Sequence, residues 1–258
     1  MAITNIGSIN IDNVYRVDAF AAPGETLLVS DYACGLGGKG ANQSIAAARA
    51  GSQVFHIGAV GSDGGWTRDA LHEAGVDTQG IRTTLEPTGH AVIQVNRDGE
   101  NSILVYSGAN LAMTHDQISD ALQAMQPDDW LLFQNETNLT RDIAAAGHAR
   151  SAKICYSAAP FIAELVLPIL PHINVLVVNE LEAASLAAHF RGDEDSIPVP
   201  ALLVTRGAEG ATYSERAGAG CVVSVPSFDV TVIDTTGAGD TFLGYFLSSG
   251  DTGEDTMS

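Results

Sequence analysis

The chain has 258 residues, 45% of them hydrophobic and only 6% aromatic, which is enough to bury one substantial core with at most a small appendage. A formal net charge of -19 with no Lys/Arg block opposes any nucleic-acid partner, and no apolar run approaches the roughly 18 residues of a membrane span. Cys34, Cys155 and Cys221 fit no metal-ligand spacing and read as reduced thiols of a cytoplasmic protein, and the seven histidines form neither HxxxH nor HExxH.

Along the chain, Ala2 to Ile9 reads as a buried strand ending in Asn10-Ile11-Asp12. Two alternating stretches follow, Val14 to Phe20 and Thr26 to Tyr32, with Pro23-Gly24 as the turn between them. The glycine-rich segment Gly35-Leu36-Gly37-Gly38-Lys39-Gly40 opens into an alanine-rich helix, Ala41 to Ala50, stopped by Gly51. Strand and helix patterns then alternate: strand Val54 to Val60, helix Asp63 to Ala74, and a hairpin of Ala91 to Asn96 with Ser102 to Tyr106. Next come helix Asp116 to Met125, strand Trp130 to Gln134, helix Thr140 to Arg150 and strand Ala152 to Tyr156. Strand Val175 to Val178, helix Glu180 to His189, strand Ala201 to Thr205 and a hairpin of Ala211 to Ser214 with Cys221 to Val225 precede a last helix from near Gly237. This rhythm predicts an α/β fold, a doubly wound, mostly parallel sheet with helices on both faces. The period-2 segments outside it predict a small antiparallel β lid, made by insertions at about 13–34 and 88–108 of a single domain spanning 1–258.

Three segments can carry chemistry. Near the end, Asp234-Thr235-Thr236-Gly237-Ala238-Gly239-Asp240-Thr241-Phe242 is a small-residue loop entering a helix, so its amides form an anion site. Asp240 in the first helical turn is a poor phosphate ligand. It fits a base that takes a proton from an attacking hydroxyl, and equally a carboxylate that only complements the helix dipole. Gly37-Gly38-Lys39-Gly40-Ala41-Asn42 fits neither a Walker loop nor GxGxxG. It lets backbone approach a ligand while Asn42 offers donor and acceptor, or it is simply a tight turn and a helix start. Asn10 and Asp12, at the carboxyl end of the first strand, could hold vicinal hydroxyls. Alone they read more readily as an Asx-turn.

Taken together and in order, Asn10-x-Asp12, Pro23-Gly24-Glu25-Thr26, the Gly37-to-Gln43 segment and the Asp234-to-Phe242 segment resemble the two signatures of the ribokinase (phosphofructokinase-B) family of sugar kinases, over residues 2 to about 248. The resemblance implies transfer of the γ-phosphoryl of MgATP to the primary hydroxyl of a small sugar, D-ribose first. It makes Asp240 the catalytic base and Gly237, Ala238 and Gly239 the anion hole. It assigns Asn10, Asp12, Gly38, Lys39, Asn42 and Glu136 to the sugar, Asn179, Thr205 and Gly207 to the nucleotide, and Glu182 to Mg²⁺ through water. Asp234 and Thr236 correspond to part of a monovalent-cation site, usually K⁺, and pairing of two copies through their lids is implied as well. For Glu136, capping of the helix after Leu139 stands as an alternative, for Glu182 an exposed helix position, and for Lys39 a purely electrostatic role at a helix end. A nucleoside or hexose substrate is a further alternative, with Phe20 and Tyr106 the available aromatic shelf, and so is a noncatalytic sugar-binding relative. The chain departs from the family pattern in two places. It ends 18 residues after Asp240, where relatives continue for several tens of residues, and His189 to Pro200 stands where relatives carry a further helix.

Overall fold

A computed structural model describes residues 1–216, 220–230 and 235–249. In chain order the elements are β1 (Ala2–Ile6), β2 (Asn10–Arg16), β3 (Asp31–Gly37), α1 (Lys39–Arg49), β4 (Gln53–Val60), α2 (Gly65–Glu73), β5 (Ile81–Thr83), β6 (Gly89–Val95) and β7 (Asn101–Tyr106). They continue with α3 (His115–Ala124), β8 (Trp130–Gln134), α4 (Thr140–Ala149), β9 (Lys153–Ser157), α5 (Ala163–Val166), β10 (Val175–Asn179), α6 (Glu180–Ala187), β11 (Ala201–Thr205), β12 (Ala211–Glu215), β13 (Cys221–Val225) and α7 (Ala238–Ser249).

The large sheet runs β13-β12-β11-β10-β9-β8-β1-β4-β5. Every pairing from β11 to β5 is parallel, and β12 and β13 close one edge as an antiparallel hairpin. Its strands are near-continuous apolar runs because both faces are buried. Leu131, Phe133, Ile154, Tyr156, Leu176 and Val178 pack on one side with Ile118, Leu122, Ile143 and Leu186 of α3, α4 and α6. Leu132, Cys155, Val175 and Val177 pack on the other with Ala41, Ala47, Leu71, Leu243 and Leu247 of α1, α2 and α7. Alternate residues of one strand thus serve two cores, as a doubly wound sheet requires.

The second sheet, β3-β2-β6-β7, has four strands. Its two antiparallel pairs, β2–β3 and β6–β7, are joined side by side through a parallel β2–β6 pairing. All six residues of β7 are exposed.

Three expectations from the sequence require correction. The first apolar stretch is two strands, since Gly7 to Ile9 leave the large sheet before Asn10 joins the small one. The second alternating stretch is not Thr26 to Tyr32; pairing of Asn10 with Gly37 through Arg16 with Asp31 places β3 at Asp31–Gly37, inside the glycine-rich segment. Alternation alone cannot select a strand; a partner's free edge does, and at Arg16 that edge ends, where its carbonyl accepts from the Ser30 amide (2.9 Å). Strand β5 was not foreseen, because three residues carry no period.

Close approach of α1 to its neighbours sets up the site. A Cβ on Gly40 would lie 2.5 Å from the Ser8 amide nitrogen and 2.6 Å from the Gly7 Cα, so only glycine lets α1 start against the end of β1. On the other flank, a Cβ on Gly244 would lie 2.5 Å from the Ala46 Cβ, and Ser248 Oγ donates to the Ala47 carbonyl (3.1 Å). Small residues therefore bring α7 onto α1 and carry its first turn to the start of α1.

Candidate active site

Seven of the expected residues, Lys39, Asn179, Glu182, Thr205, Gly237, Gly239 and Asp240, gather at the carboxyl ends of the parallel strands, where open α/β sheets bind ligands. A cleft of about 270 Å³ is lined by Lys39, Ser157, Asn179, Glu182, Thr205, Thr235, Gly237, Gly239 and Asp240, with Val177, Val178 and Leu243 beneath.

Asp240 sits in the first turn of α7, half-buried. Its Oδ1 accepts from Gln43 Nε2 at 2.8 Å and its Oδ2 from Asn42 Nδ2 at 3.3 Å. The carboxylate is therefore held by α1 and not merely set against its own helix dipole. In the loop before it, the Ala238 amide donates to the Thr235 carbonyl (3.1 Å), closing a turn, while Gly237 and Gly239 face the cleft. Gly237 has φ +70°, a left-handed conformation that favours glycine.

A second cluster lies where β1 crosses to β2. Glu136, just past β8, accepts at one oxygen, Oε2, from both Ser8 Oγ (2.5 Å) and the Lys39 amide (3.0 Å). It does not cap α4, whose start at Leu139 has no side-chain cap. It faces the start of α1, where a carboxylate is favourable. Asn10 is buried, and its Oδ1 accepts from Asn110 Nδ2 (2.7 Å), while Asn110 Oδ1 accepts from the Ile9 amide (2.9 Å). Gly38 caps α1 at φ +92°, and a Cβ there would lie 2.9 Å from the Asn10 nitrogen. The Asp12 carboxyl is pushed above its usual range, first by burial and then by the negative charge of Glu136. A ligand hydroxyl donating to that pair would relieve the repulsion. Lys39 joins the two clusters, since its amide meets Glu136 and its residue lines the cleft.

On the far side, Asn179 and Glu182 form a reciprocal capping box at the start of α6. Asn179 Oδ1 accepts from the Glu182 amide (2.9 Å) and Glu182 Oε2 from the Asn179 amide (2.8 Å). Glu182 is half-buried, not exposed, and burial raises its carboxyl above the ordinary value against the opposing pull of the Asn179 amide and then Lys39. Thr205 ends β11 in register with Asn179. Gly207 begins the turn after it at φ +55°, exposed and outside the cleft lining. The segment where a further helix was expected in relatives is tied down instead by Arg206, which pairs with Glu194 (2.7 Å) and Glu180 (3.2 Å). Of the expected cation residues, Thr236 is exposed in the loop before α7, and Asp234 lies outside the described residues.

Sequence reasoning missed Ser8, Asn110, Gln134 and the role of Gln43. Gln43 stood inside a recognised motif without an assignment, and its signal is a glutamine on the buried face of a helix. The other three carried no local signal, because the partners that reveal them are distant: Glu136 for Ser8 across 128 residues, Ile9 for Asn110 across 101 and Gln43 for Gln134 across 91.

A doubly wound sheet with a cleft at its carboxyl edge, a glycine loop running into a helix-borne carboxylate, and a separate small sheet alongside define the ribokinase-like class of α/β kinases. The chain belongs to the pfkB family of carbohydrate kinases, whose family model matches residues 2–256. It is 37% identical to a ribokinase of Haemophilus influenzae over 96% of this chain and 84% of that protein. Among solved structures it resembles the ribokinase of Cryptococcus neoformans in complex with ADP, with a TM-score of 0.83 and 33% identity over 99% of this chain and 89% of that one. It also resembles Arabidopsis thaliana ribokinase complexed with ribose and ATP, with a TM-score of 0.85 and 26% identity over 99% and 88%.

Proposed function

We propose that this protein is a ribose kinase that transfers the γ-phosphoryl of MgATP to the primary hydroxyl of D-ribose. The observation that carries the reading is Asp240. It is a half-buried carboxylate at the start of α7, anchored on α1 and opening on one cleft with Lys39, Gly237 and Gly239. Its Oδ2 takes the hydroxyl proton, the hydroxyl oxygen bonds to the γ-phosphorus, and the bond to the β,γ-bridging oxygen breaks to release ADP. The Gly237 and Gly239 amides and Lys39 offset the charge on the transferred group. Ala238 must release Thr235 to join them.

Asn10, Asp12, Gly38, Lys39, Asn42 and Glu136 hold the sugar in this reading, and Asn179, Thr205 and Gly207 the nucleotide. The half-buried carboxyl of Glu182 fits a water-bridged Mg²⁺ arriving with ATP, since a nearby cation would stabilise its ionised form. A K⁺ site at Asp234 and Thr236 rests on the family resemblance, and replacement of K⁺ by Na⁺ in the assay tests it. The exposed apolar residues Tyr32, Ile103, Leu104, Val105 and Tyr106 of the small sheet fit a contact with a second copy, which light scattering would reveal as twice the chain mass. No helix among the described residues is long and apolar enough to cross a membrane, and we place the reaction in the cytoplasm.

The test is ADP release from MgATP with D-ribose, 2-deoxyribose, fructose, adenosine or no sugar. Ribose-dependent turnover is expected, falling roughly 10²-fold or more in Asp240→Asn while ribose still raises the melting temperature. Turnover favouring another acceptor would replace the substrate, and ribose binding without turnover would make this a sugar-binding protein.

A further inference from the structure

A line of polar side chains runs beneath the cleft, through the interior, to the base of Asp240. Asn5, Gln43, Ser44, His56 and Gln134 are each fully buried, in a layer otherwise filled by Ile, Leu and Ala. Burying five such groups is costly unless their orientation has a use.

The direction of every hydrogen bond follows from two backbone carbonyls, which can only accept. Asn5 Nδ2 lies 2.8 Å from the Gly40 carbonyl and 2.9 Å from Ser44 Oγ, so the Asn5 nitrogen is fixed and its Oδ1 must accept. Gln134 Nε2 lies 2.9 Å from that Oδ1, which fixes the Gln134 amide as a donor there. The same nitrogen lies 2.7 Å from Gln43 Oε1, so the oxygen end of Gln43 is turned toward Gln134. Its Nε2 is thereby turned toward Asp240 Oδ1 at 2.8 Å. From the other end, His56 Nε2 lies 3.2 Å from the Gly7 carbonyl and must carry the proton, so Nδ1 accepts from Ser44 Oγ at 2.8 Å. Both anchors give one polarity. Gln134 Oε1 has no protein partner among the described residues.

We infer that Gln43, locked in one amide orientation by Gln134, is the positioning residue for Asp240, holding Oδ1 so that Oδ2 alone receives the substrate proton. This rests on the reading of Asp240 as the base. Asn42 holds Oδ2 by a longer bond of 3.3 Å, which an incoming hydroxyl displaces. Gln43 keeps its bond through the reaction, because it lies behind the carboxylate in the core and not in the cleft lining. Without Gln134, the Gln43 oxygen loses its donor and the carboxylate alone holds the amide, so the grip on Oδ1 loosens.

The test is steady-state kinetics on the full chain with ribose and MgATP, for Gln43→Met, Gln134→Met and Gln43→Met combined with Asp240→Asn. Loss of one charge-assisted bond should lower kcat roughly tenfold in Gln43→Met and about three- to tenfold in Gln134→Met, with the ribose KM within about twofold of wild type. In the Asp240→Asn background, Gln43→Met should cost no further activity, because Gln43 acts only through that carboxylate. Gln43→Leu also removes the donor and fills the same space without a flexible thioether, so kcat should fall about as far even if Gln43→Met folds poorly. Wild-type kcat in the two Gln43 variants would overturn the inference. So would an equal loss from Gln43→Met in both backgrounds, which is what a packing role produces. Near-wild-type activity of Asp240→Asn alone would instead overturn the reading of Asp240.

Discussion

The proposed sugar and nucleotide ends of the site are built differently. At the sugar end, Ser8 and Asn10 meet Asn110 and Glu136 from distant parts of the chain, bound to each other and to backbone amides, with the half-buried Asp12 carboxyl near Glu136. The backbones there approach so closely that Gly40 has no room for a Cβ. At the nucleotide end, Asn179 and Glu182 bond only across one helix start, and Gly207 has nothing within 4 Å of a built Cβ. A small sugar offers few atoms, so it must be met by groups already in place. A nucleotide offers many, so strand ends and one open cleft suffice.

That contrast can be broken by substitution. The largest effect is expected from Gly40→Ala, which drives a Cβ into the backbone of Gly7 and Ser8. It should cost about 3 kcal/mol by denaturant unfolding and abolish turnover with it. An unchanged unfolding midpoint would show that the sugar end tolerates movement after all.

His56 sharpens the comparison through pH. Complete burial pushes its imidazole down to about 4, against an opposing bond to the Gly7 carbonyl. The folded pKa lies below the unfolded one, so the unfolded chain binds the extra proton first. The contribution is fully present above the unfolded value of 6.5 and is lost as pH falls from there toward 4. Urea midpoints should drop steeply between pH 6.5 and 5, by a total on the order of 3 kcal/mol once pH 4 is reached. His56→Gln should flatten that slope.

Asp12→Asn is expected to act in opposite directions on binding and stability. The Asp12 carboxyl is held above its ordinary value by burial and Glu136, so its ionised form is a cost to the folded state at neutral pH. Its removal should raise the melting temperature of the free protein by roughly 2 °C while weakening ribose at least tenfold, both read from one thermal-shift titration. Asp12 acting only as an Asx-turn would leave the ribose response unchanged.

The smallest effect belongs to Gly207→Ala. Space is open and only the left-handed φ of +55° is strained, so the loss should be about 1 kcal/mol, with the ribose KM unchanged and at most a modest rise in the KM for ATP.

Much of this architecture is legible residue by residue. Trp130–Gln134 and Ala201–Thr205 stand where their apolar runs place them, because a strand buried on both faces leaves a continuous local signature. Motif glycines such as Gly38 and Gly237 are legible as local backbone requirements, and Asp240 as a carboxylate in the first turn of α7. The small sheet is legible only as a tendency, and its register is not. Thr26 to Tyr32 alternates as well as Asp31–Gly37 does, but only the latter meets the free edge of β2.

By itself, then, the sequence determined the alternation of strands and helices, the glycine turns, the candidate base and the family. These are written in periods and spacings short enough for neighbours to enforce. Tertiary structure alone decided what faces what. It brought Gln134 against Gln43 across 91 residues, Gln43 against Asp240 across 197, and Glu136 against Ser8 across 128. Such contacts arise only when Gly40 and Gly244 let α1 pack tightly between β1 and α7, and no local pattern encodes the distance between two packed backbones.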